Sequence, residues 1–270
     1  MKKYTLLLVG FLQLFNSSCE ELIEVDLPNT QINTSIVYTD VATAKAALAH
    51  LYSTTRDDSF VNGGMYGIGF MTGLYTDELI SYLGDSHNLN PFYLNQILAA
   101  NAAVSKLWDS SNKTIYAINL FIENMRKSTS ISKEDKNTMI GEALFLRSLH
   151  YYYLTLVFGD IPYTATTDYT INKTLNKTAV SQVLLNNQMD LKEASTFLKE
   201  AYRNQERIYP NLFSVQLLLA RHSAELGQWD QVQKELNSII QSPMYSLRNE
   251  PKEVFNKSYK GVIWQLKPDT

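Results

Sequence analysis

Residues 141–162 read GEALFLRSLHYYYLTLVFGDIP and form the strongest helical pattern in the chain. Upstream, Ser132 with Asp135 three residues later is typical of a helix N-terminus, because a serine hydroxyl can accept a hydrogen bond from a backbone N–H of the first turn. Gly159 is typical of a helix end, and Pro162 prevents the helix from continuing. The pattern therefore predicts one helix from Ser132 to Gly159.

This predicted helix carries apolar side chains on two opposite sides. One side has Ile140, Ala143, Leu144, Tyr151, Leu154 and Phe158, and the other has Phe145, Leu149, Tyr152 and Leu156. A helix that is apolar all round is a buried helix. Arg147 lies on the first side, so its guanidinium must find a carboxylate or backbone carbonyls inside the fold. We interpret Arg147 as a structural ion-pairing residue; a ligand-binding role is the alternative.

Further helical patterns fill most of the chain. We predict helices over about residues 40–55, 74–82, 102–125, 180–201, 212–226 and 229–240, the first capped by Asp40. The glycine-rich residues 63–69 and the turn-rich residues 84–91 are predicted loops. Residues 254–255 and 262–266 are predicted to be buried strand. The sequence thus indicates a mainly α fold with little strand near the C-terminus.

Two helix-ending glycines, Gly159 and Gly227, lie 68 residues apart. That distance is two periods of the tetratricopeptide unit of about 34 residues. Residues 226–230, LGQWD, are typical of the tight turn between the two helices of such a unit, and they include Trp229. Together these features predict tetratricopeptide-like helical repeats.

The N-terminus has the layout of a bacterial lipoprotein signal. Lys2 and Lys3 precede an apolar run over residues 4–15, which is too short to remain as a spanning helix, and Cys19 follows directly after. Cys19 is the single cysteine of the chain and would carry the lipid. We predict a signal peptide at 1–18, a tether at 19–38 and a helical domain at 39–270. An ordinary secretory signal is the alternative.

Composition disfavours one class of partner and suits another. The 270 residues are 45% hydrophobic, which is enough for a substantial core, and the net charge is −3. An acidic chain is disfavoured as a nucleic-acid binder. The 17 tyrosines suit a surface that binds wet, neutral ligands, because the ring is apolar and the hydroxyl forms hydrogen bonds.

One loop concentrates the side-chain types that hold sugars, namely rings with amides and carboxylates beside them. Its candidate ligand-binding residues, all within twelve positions, are Tyr82, Asp85, His87, Asn88, Asn90, Phe92 and Tyr93. The alternative is a connector in which Phe92 and Tyr93 simply anchor the loop to the core.

Catalysis and metal binding are not indicated. Asp77 and Glu78 are sequence neighbours, so they point in different directions and cannot flank one glycosidic bond. No two of the four histidines have the spacing of a helical zinc site, and Cys19 is assigned to the lipid. We therefore predict a protein that is not an enzyme and has no catalytic residue, metal site or cofactor.

Several blocks of the sequence resemble the SusD/RagB family of nutrient-binding outer-membrane lipoproteins of Bacteroidetes. Residues 141–154 followed by 158–162 are similar to the long-helix signature of this family. The other similar blocks are Trp108 with Tyr116, Ile118 and Asn119; residues 75–79, YTDEL; residues 217–221, LLLAR, with 227–230, GQWD; and the pairs at 254–255 and 263–264. Within these blocks we predict structural roles for Trp108, Glu142, Arg147, Gly159, Asp160 and Trp229.

The resemblance implies a surface-exposed lipoprotein, anchored in the outer membrane through Cys19. It would capture glycans or peptides and deliver them to a TonB-dependent, SusC-like transporter, with its helical repeats facing that transporter. Family members continue well beyond residues 263–264, so the resemblance also implies that this chain is a fragment or a truncated gene product. The alternative function is a lipid-anchored helical scaffold that binds a protein partner and no nutrient.

Overall fold

A computed structural model describes residues 37–247, 250, 252, 254 and 259–267. The described residues belong to one compact unit, Val37–Thr270. The predicted signal peptide, Cys19 and all but the last two residues of the predicted tether lie outside the described residues. Within the described part, no helix combines the length and the apolar character needed to cross a membrane.

The described residues are mainly helical, which confirms the predicted fold class. Two short strands, Ile161–Pro162 and Lys177–Thr178, pair antiparallel, with Ile161 opposite Thr178. The helices are α1 (Val41–Asp58), α2 (Ile68–Tyr75), α3 (Asn90–Tyr93), α4 (Ala102–Lys127), α5 (Lys133–Phe158), α6 (Tyr169–Asn172), α7 (Val180–Phe197), α8 (Leu212–Glu225) and α9 (Trp229–Ile240). The strands, β1 (Ile161–Pro162) and β2 (Lys177–Thr178), precede and follow α6 in the chain.

Local capping fixes several of the predicted helix ends. The Asp40 carboxylate accepts the backbone N–H groups of Ala42 and Thr43 and so begins α1. Ser132 Oγ accepts the N–H of Asp135 at the start of α5, and Gly159 ends that helix at φ 70°. These ends were predictable because each cap lies within four residues of the groups that it satisfies.

Helix α5 is the centre of the packing. It contacts α1, α4, α7 and α8, while α9 packs on α8 at the far edge. Along its middle turns, from Met139 to Tyr152, every side chain is buried, as the apolar pattern on both sides predicts. Leu156 is 47% exposed, so the burial does not extend to the last turn.

The helix predicted over 74–82 is wrong, and α2 occupies Ile68–Tyr75 instead. Asp77 adopts a left-handed backbone conformation with φ 62°, which ends the helix and turns the chain back. Leu79 then donates its N–H to Gly73 O and packs so closely on Gly73 that a Cβ there would lie 3.0 Å from Leu79 Cδ1. Because the chain turns back to make these contacts with Gly73, residues 76–82 do not form the predicted helix.

The predicted end of α7 is four residues too late. Leu198 is extended and only 7% exposed, and its side chain packs on Gly141 of α5. Burial of this leucine diverts the chain into the loop of residues 199–211.

The strand predicted over 262–266 is also wrong. The N–H of Gln265 and the indole Nε1–H of Trp264 donate to the backbone oxygens of Arg207 and Ile208, at 3.1 Å each. The segment therefore pairs with an irregular loop rather than with a strand. Val254, predicted to be buried, is 45% exposed, and Phe255 lies outside the described residues.

Candidate ligand-binding site

The predicted binding loop lies between α2 and α4, and its outward members are Tyr82 and Asp85. The Tyr82 side chain is 93% exposed, and Asp85 is exposed three residues later. An exposed tyrosine ring can stack on the apolar face of a sugar, and an exposed carboxylate can accept hydrogen bonds from its hydroxyl groups.

Two members of the predicted binding set are core residues instead. Phe92 is 8% exposed and belongs to an apolar cluster with Met71 and Leu74 of α2. Asn90 is 6% exposed, and its Oδ1 accepts the Ser81 hydroxyl at 3.3 Å. Both lie in α3, a single turn that begins at Asn90 and has Pro91 as its second residue. Neither side chain is positioned to contact a ligand, which corrects the prediction for Asn90 and Phe92.

The remaining members hold the loop in shape. His87 Nδ1 accepts the N–H of Leu89 at 3.2 Å. Asn88 Oδ1 accepts the Tyr66 hydroxyl at 3.2 Å. Tyr93 is half-buried against the same apolar cluster as Phe92. The loop is thus an anchored connector that leaves one ring, Tyr82, in solvent.

A polar groove of about 790 Å³ between α1 and α4 was missed by the sequence analysis. Its polar lining consists of His50, Thr54, Asp58, Ser105, Lys106, Asp109, Ser110, Lys113 and Thr114. The Lys106 ammonium also stands 4.5 Å from the centre of the Tyr66 ring, and Tyr66 bonds to Asn88, so the groove adjoins the loop. The sequence does carry a sign of this groove: Lys106, Asp109 and Lys113 are three and four residues apart, so they lie on one face of α4.

Arg147 is buried on α5 and bonds to a carboxylate and an amide inside the fold. Its Nη1 donates to Asn119 Oδ1 at 2.8 Å, and its other nitrogens bond to the carboxylate of Asp190 on α7. Asn119 in turn donates to Thr164 O, so the network links α4, α5 and the segment after β1. Each of the three guanidinium nitrogens of Arg147 thus donates to a protein group.

Glu142 is a second buried charged group on α5. Its carboxylate accepts the Tyr52 hydroxyl at 2.7 Å and pairs with Arg203 at 2.9 Å. Burial raises the pKa of Glu142 to about 7, even though Arg203 and the Tyr52 hydroxyl act in the opposite direction. This pair fastens α1 and the 199–211 loop to α5.

Of the other residues with a predicted structural role, Asp160 and Trp108 make contacts within the fold, whereas the Trp229 side chain is exposed. Asp160 Oδ1 accepts the N–H of Val180 at 3.0 Å and so caps α7. Trp108 packs edge-to-face on Phe158, with ring centres 5.1 Å apart. Trp229 begins α9, as the turn motif predicts, but its side chain is 67% exposed. The structural role predicted for Trp229 therefore does not extend to core packing by its indole.

The buried histidines and the possible metal ligands offer no metal site within the described residues. His150 and His222 are buried, and burial lowers the pKa of each to about 4. Among the residues that the structure describes, no three His, Cys, Asp or Glu side chains could hold one metal ion. The chemistry that the loop and the groove offer is hydrogen bonding and ring stacking.

Comparison with known proteins gives a family match over the centre of the chain. A SusD-like family model, described as starch-binding and associating with the outer membrane, matches residues 70–222. SusD-like protein P25 of Formosa agariphila is 24% identical over 280 residues, covering 98% of this chain and 52% of the relative.

Solved structures agree on the fold. A SusD-like carbohydrate-binding protein of Bacteroides fragilis has a TM-score of 0.71 at 20% identity, covering 84% of this chain and 46% of that one. A laminarin-binding SusD-like protein has a TM-score of 0.71 at 18% identity, covering 80% and 49%. The chain spans about half the length of the relatives it matches.

Proposed function

This chain belongs to the SusD-like family, and from that membership we propose that it is a lipid-anchored, surface-exposed outer-membrane protein that captures oligosaccharides or peptides. It would deliver them to a TonB-dependent, SusC-like transporter. The observation that carries the proposal is the match of residues 70–222 to a family described as starch-binding and associating with the outer membrane. One structural relative is described as laminarin-binding, which supports a glycan as the first ligand to test.

The geometry supports capture at the loop and the adjoining groove. Tyr82 offers a free ring, and the groove between α1 and α4 offers carboxylates, hydroxyls and ammonium groups that can bond to sugar hydroxyls. The chain spans about half the length of its relatives. We therefore propose that it supplies part of the ligand site and part of the surface that docks on the transporter.

A pull-down tests the transporter part of the proposal. The protein, tagged at its C-terminus, is isolated from its native outer membrane, and the co-purified proteins are identified by mass spectrometry. We expect a TonB-dependent transporter to be enriched over the same preparation from untagged cells. Isolation of intact, membrane-bound protein without any transporter would contradict the proposal.

Affinity gel electrophoresis tests the capture part. Native gels containing starch or laminarin are expected to retard the wild-type protein, and Tyr82→Ala to restore its mobility. Tyr169→Ala is the matched control, because Tyr169 is 75% exposed but lies on α6. Equal retardation of all three proteins would exclude Tyr82 from the ligand site.

A lipid-anchored scaffold for a protein partner is the second candidate, and the burial of Phe92 favours it. A nutrient-binding loop was expected to expose its rings, whereas Phe92 is buried and Tyr93 half-buried. A scaffold would co-purify with a partner protein other than a transporter, and neither polysaccharide would retard it.

A further inference from the structure

The turn between α8 and α9 presents an exposed indole at the edge of a groove. Trp229, the first residue of α9, is 67% exposed, whereas Trp108 and Trp264 are half-buried and packed against phenylalanine rings. The groove has a volume of about 620 Å³ and is lined by α7 on one side and by the 227–231 segment on the other. An exposed tryptophan beside a groove requires an explanation, because burying the indole would be favourable.

The floor of this groove is built from amides in fixed positions. Gln188 of α7 is only 4% exposed, and its Nε2 donates to Ser223 Oγ at 2.9 Å and to Gln228 Oε1 at 2.8 Å. Both hydrogens of the Gln188 amide are thereby used, so its oxygen is left to accept. The Gln228 amide is held through its oxygen, which leaves its nitrogen to donate. The Gln188 oxygen and the Gln228 nitrogen are therefore not used by these bonds, and both residues line the groove together with Trp229.

The groove also contains two side chains of opposite charge. Lys192 lies on α7 and Asp230 on α9, and both line the groove. Because these charges balance each other, the groove does not favour an ionic ligand of either sign. A ring platform, amide groups and one charge of each sign fit a neutral ligand with an apolar face and many hydroxyls.

We propose that this groove is a second carbohydrate site, in which the Trp229 indole stacks on a glucose ring and Gln188 and Gln228 bond to its hydroxyls. The site shares no residue with the loop of residues 82–93 or with the α1–α4 groove. This second site rests on the glycan-capture part of the proposed function, because a carbohydrate site has a role only in a protein that binds glycans.

Exposed apolar side chains on α7 make a protein partner the competing occupant. Leu185 is 40% exposed and Met189 is 70% exposed, one helical turn apart. The cores of protein interfaces, however, are depleted of charged residues. Five of the eight residues that line this groove are amide or charged, and the ring lies beside them. The observations therefore favour a sugar over a protein.

The test uses the full chain and two defined probes, maltoheptaose and laminariheptaose. Each is titrated up to about 10 mM while tryptophan emission is followed, with binding measured in parallel by calorimetry. We expect one probe to shift the emission to shorter wavelength in a saturable way. Trp229→Ala should abolish the shift and weaken binding at this site at least about tenfold. Gln228→Ala should weaken binding while leaving the emission of the free protein unchanged.

Tyr82→Ala is the matched control, because it removes the exposed ring of the first site and leaves Trp229 in place. The tryptophan response should persist in Tyr82→Ala. Binding that depends on Tyr82 but not on Trp229, without an emission shift, would overturn the second site and leave the proposed function intact. Loss of transporter co-purification in Trp229→Ala, with unchanged sugar binding, would identify a protein interface and also overturn it. An absence of binding by either probe would overturn this site and the capture of glucans, whereas peptide capture and transporter docking would still stand on the pull-down.

Discussion

Arg147 and Asp190 form a two-point ion pair between α5 and α7. Arg147 Nε lies 2.8 Å from Asp190 Oδ2, and Nη2 lies 2.7 Å from Oδ1. Their side chains are 5% and 12% exposed, so solvent screens the pair little. The planar guanidinium matches both carboxylate oxygens at once, which fixes the rotation of α7 against α5 as well as their separation.

Arg147→Ala should lower the free energy of unfolding by about 3 kcal/mol or more, because the Asp190 carboxylate would remain buried without its partner. Urea unfolding followed by circular dichroism measures the change. Arg126→Ala is the control, since Arg126 pairs with Glu193 at 2.8 Å but their side chains are 49% and 34% exposed. Such a surface pair should cost under about 1 kcal/mol, and similar costs for both variants would contradict a buried role for Arg147.

Glu142 should make stability fall as pH rises from about 4.5 to about 7. The unfolded chain releases this proton near pH 4.5, whereas burial raises the pKa of Glu142 to about 7 in the folded protein. The folded state therefore binds more protons in this window, and each step up in pH favours unfolding. Across this window the free energy of unfolding should decrease by as much as about 3 kcal/mol, and the decrease is complete above pH 7.

The comparison with Glu142→Gln isolates this effect. His150 and His222 have the opposite effect on stability, because burial lowers the pKa of each to about 4 in the folded protein. As the pH falls below 6.5, the unfolded chain binds protons at these histidines before the folded protein does, so stability falls with falling pH. The difference in unfolding free energy between wild type and Glu142→Gln should thus change between pH 5 and pH 8. A constant difference would mean that Glu142 ionises at an ordinary pKa.

Gly159→Ala should destabilise the fold by about 1–3 kcal/mol. Gly159 has φ 70° and ψ −130°, a conformation that residues with a Cβ adopt only under strain. Gly84→Ala is the matched control, because a Cβ would meet nothing within 4 Å at either glycine and only Gly159 has a positive φ. Thermal unfolding of the two variants separates backbone strain from packing, and equal melting temperatures would refute strain at Gly159.

Cys19→Ala should release the protein from the membrane, if Cys19 carries the lipid. Cell fractionation with immunoblotting measures the distribution between soluble and membrane fractions. The expected result is a shift of most of the protein to the soluble fraction. Unchanged membrane retention would contradict lipid attachment at Cys19.

The predicted helices were correct where a cap and an apolar stripe agreed. For α5, Ser132, Gly159 and the apolar pattern on both sides indicated the same segment, and the structure has that helix. The prediction failed at residues 76–82, where the packing of Leu79 on Gly73 decided the path of the chain. The same cause explains the early end of α7, which the burial of Leu198 against Gly141 determines.

The candidate site was predicted less well than the fold. The sequence identified a loop with the right side-chain types, but it could not separate Tyr82, which is exposed, from Phe92, which is buried. It likewise placed Trp229 in a helical turn without indicating that its ring faces a groove lined by Gln188 of another helix.

The sequence by itself determined the helical class of the fold, the ends of its best-capped helices and the need of Arg147 for a buried partner. These depend on hydrogen bonds and apolar periodicity within a few residues of chain, which can be read locally. Only the tertiary structure decided that Asp190 is that partner and that the rings of Tyr82 and Trp229 face solvent. Burial and exposure depend on segments far apart in the chain, so no local pattern specifies them.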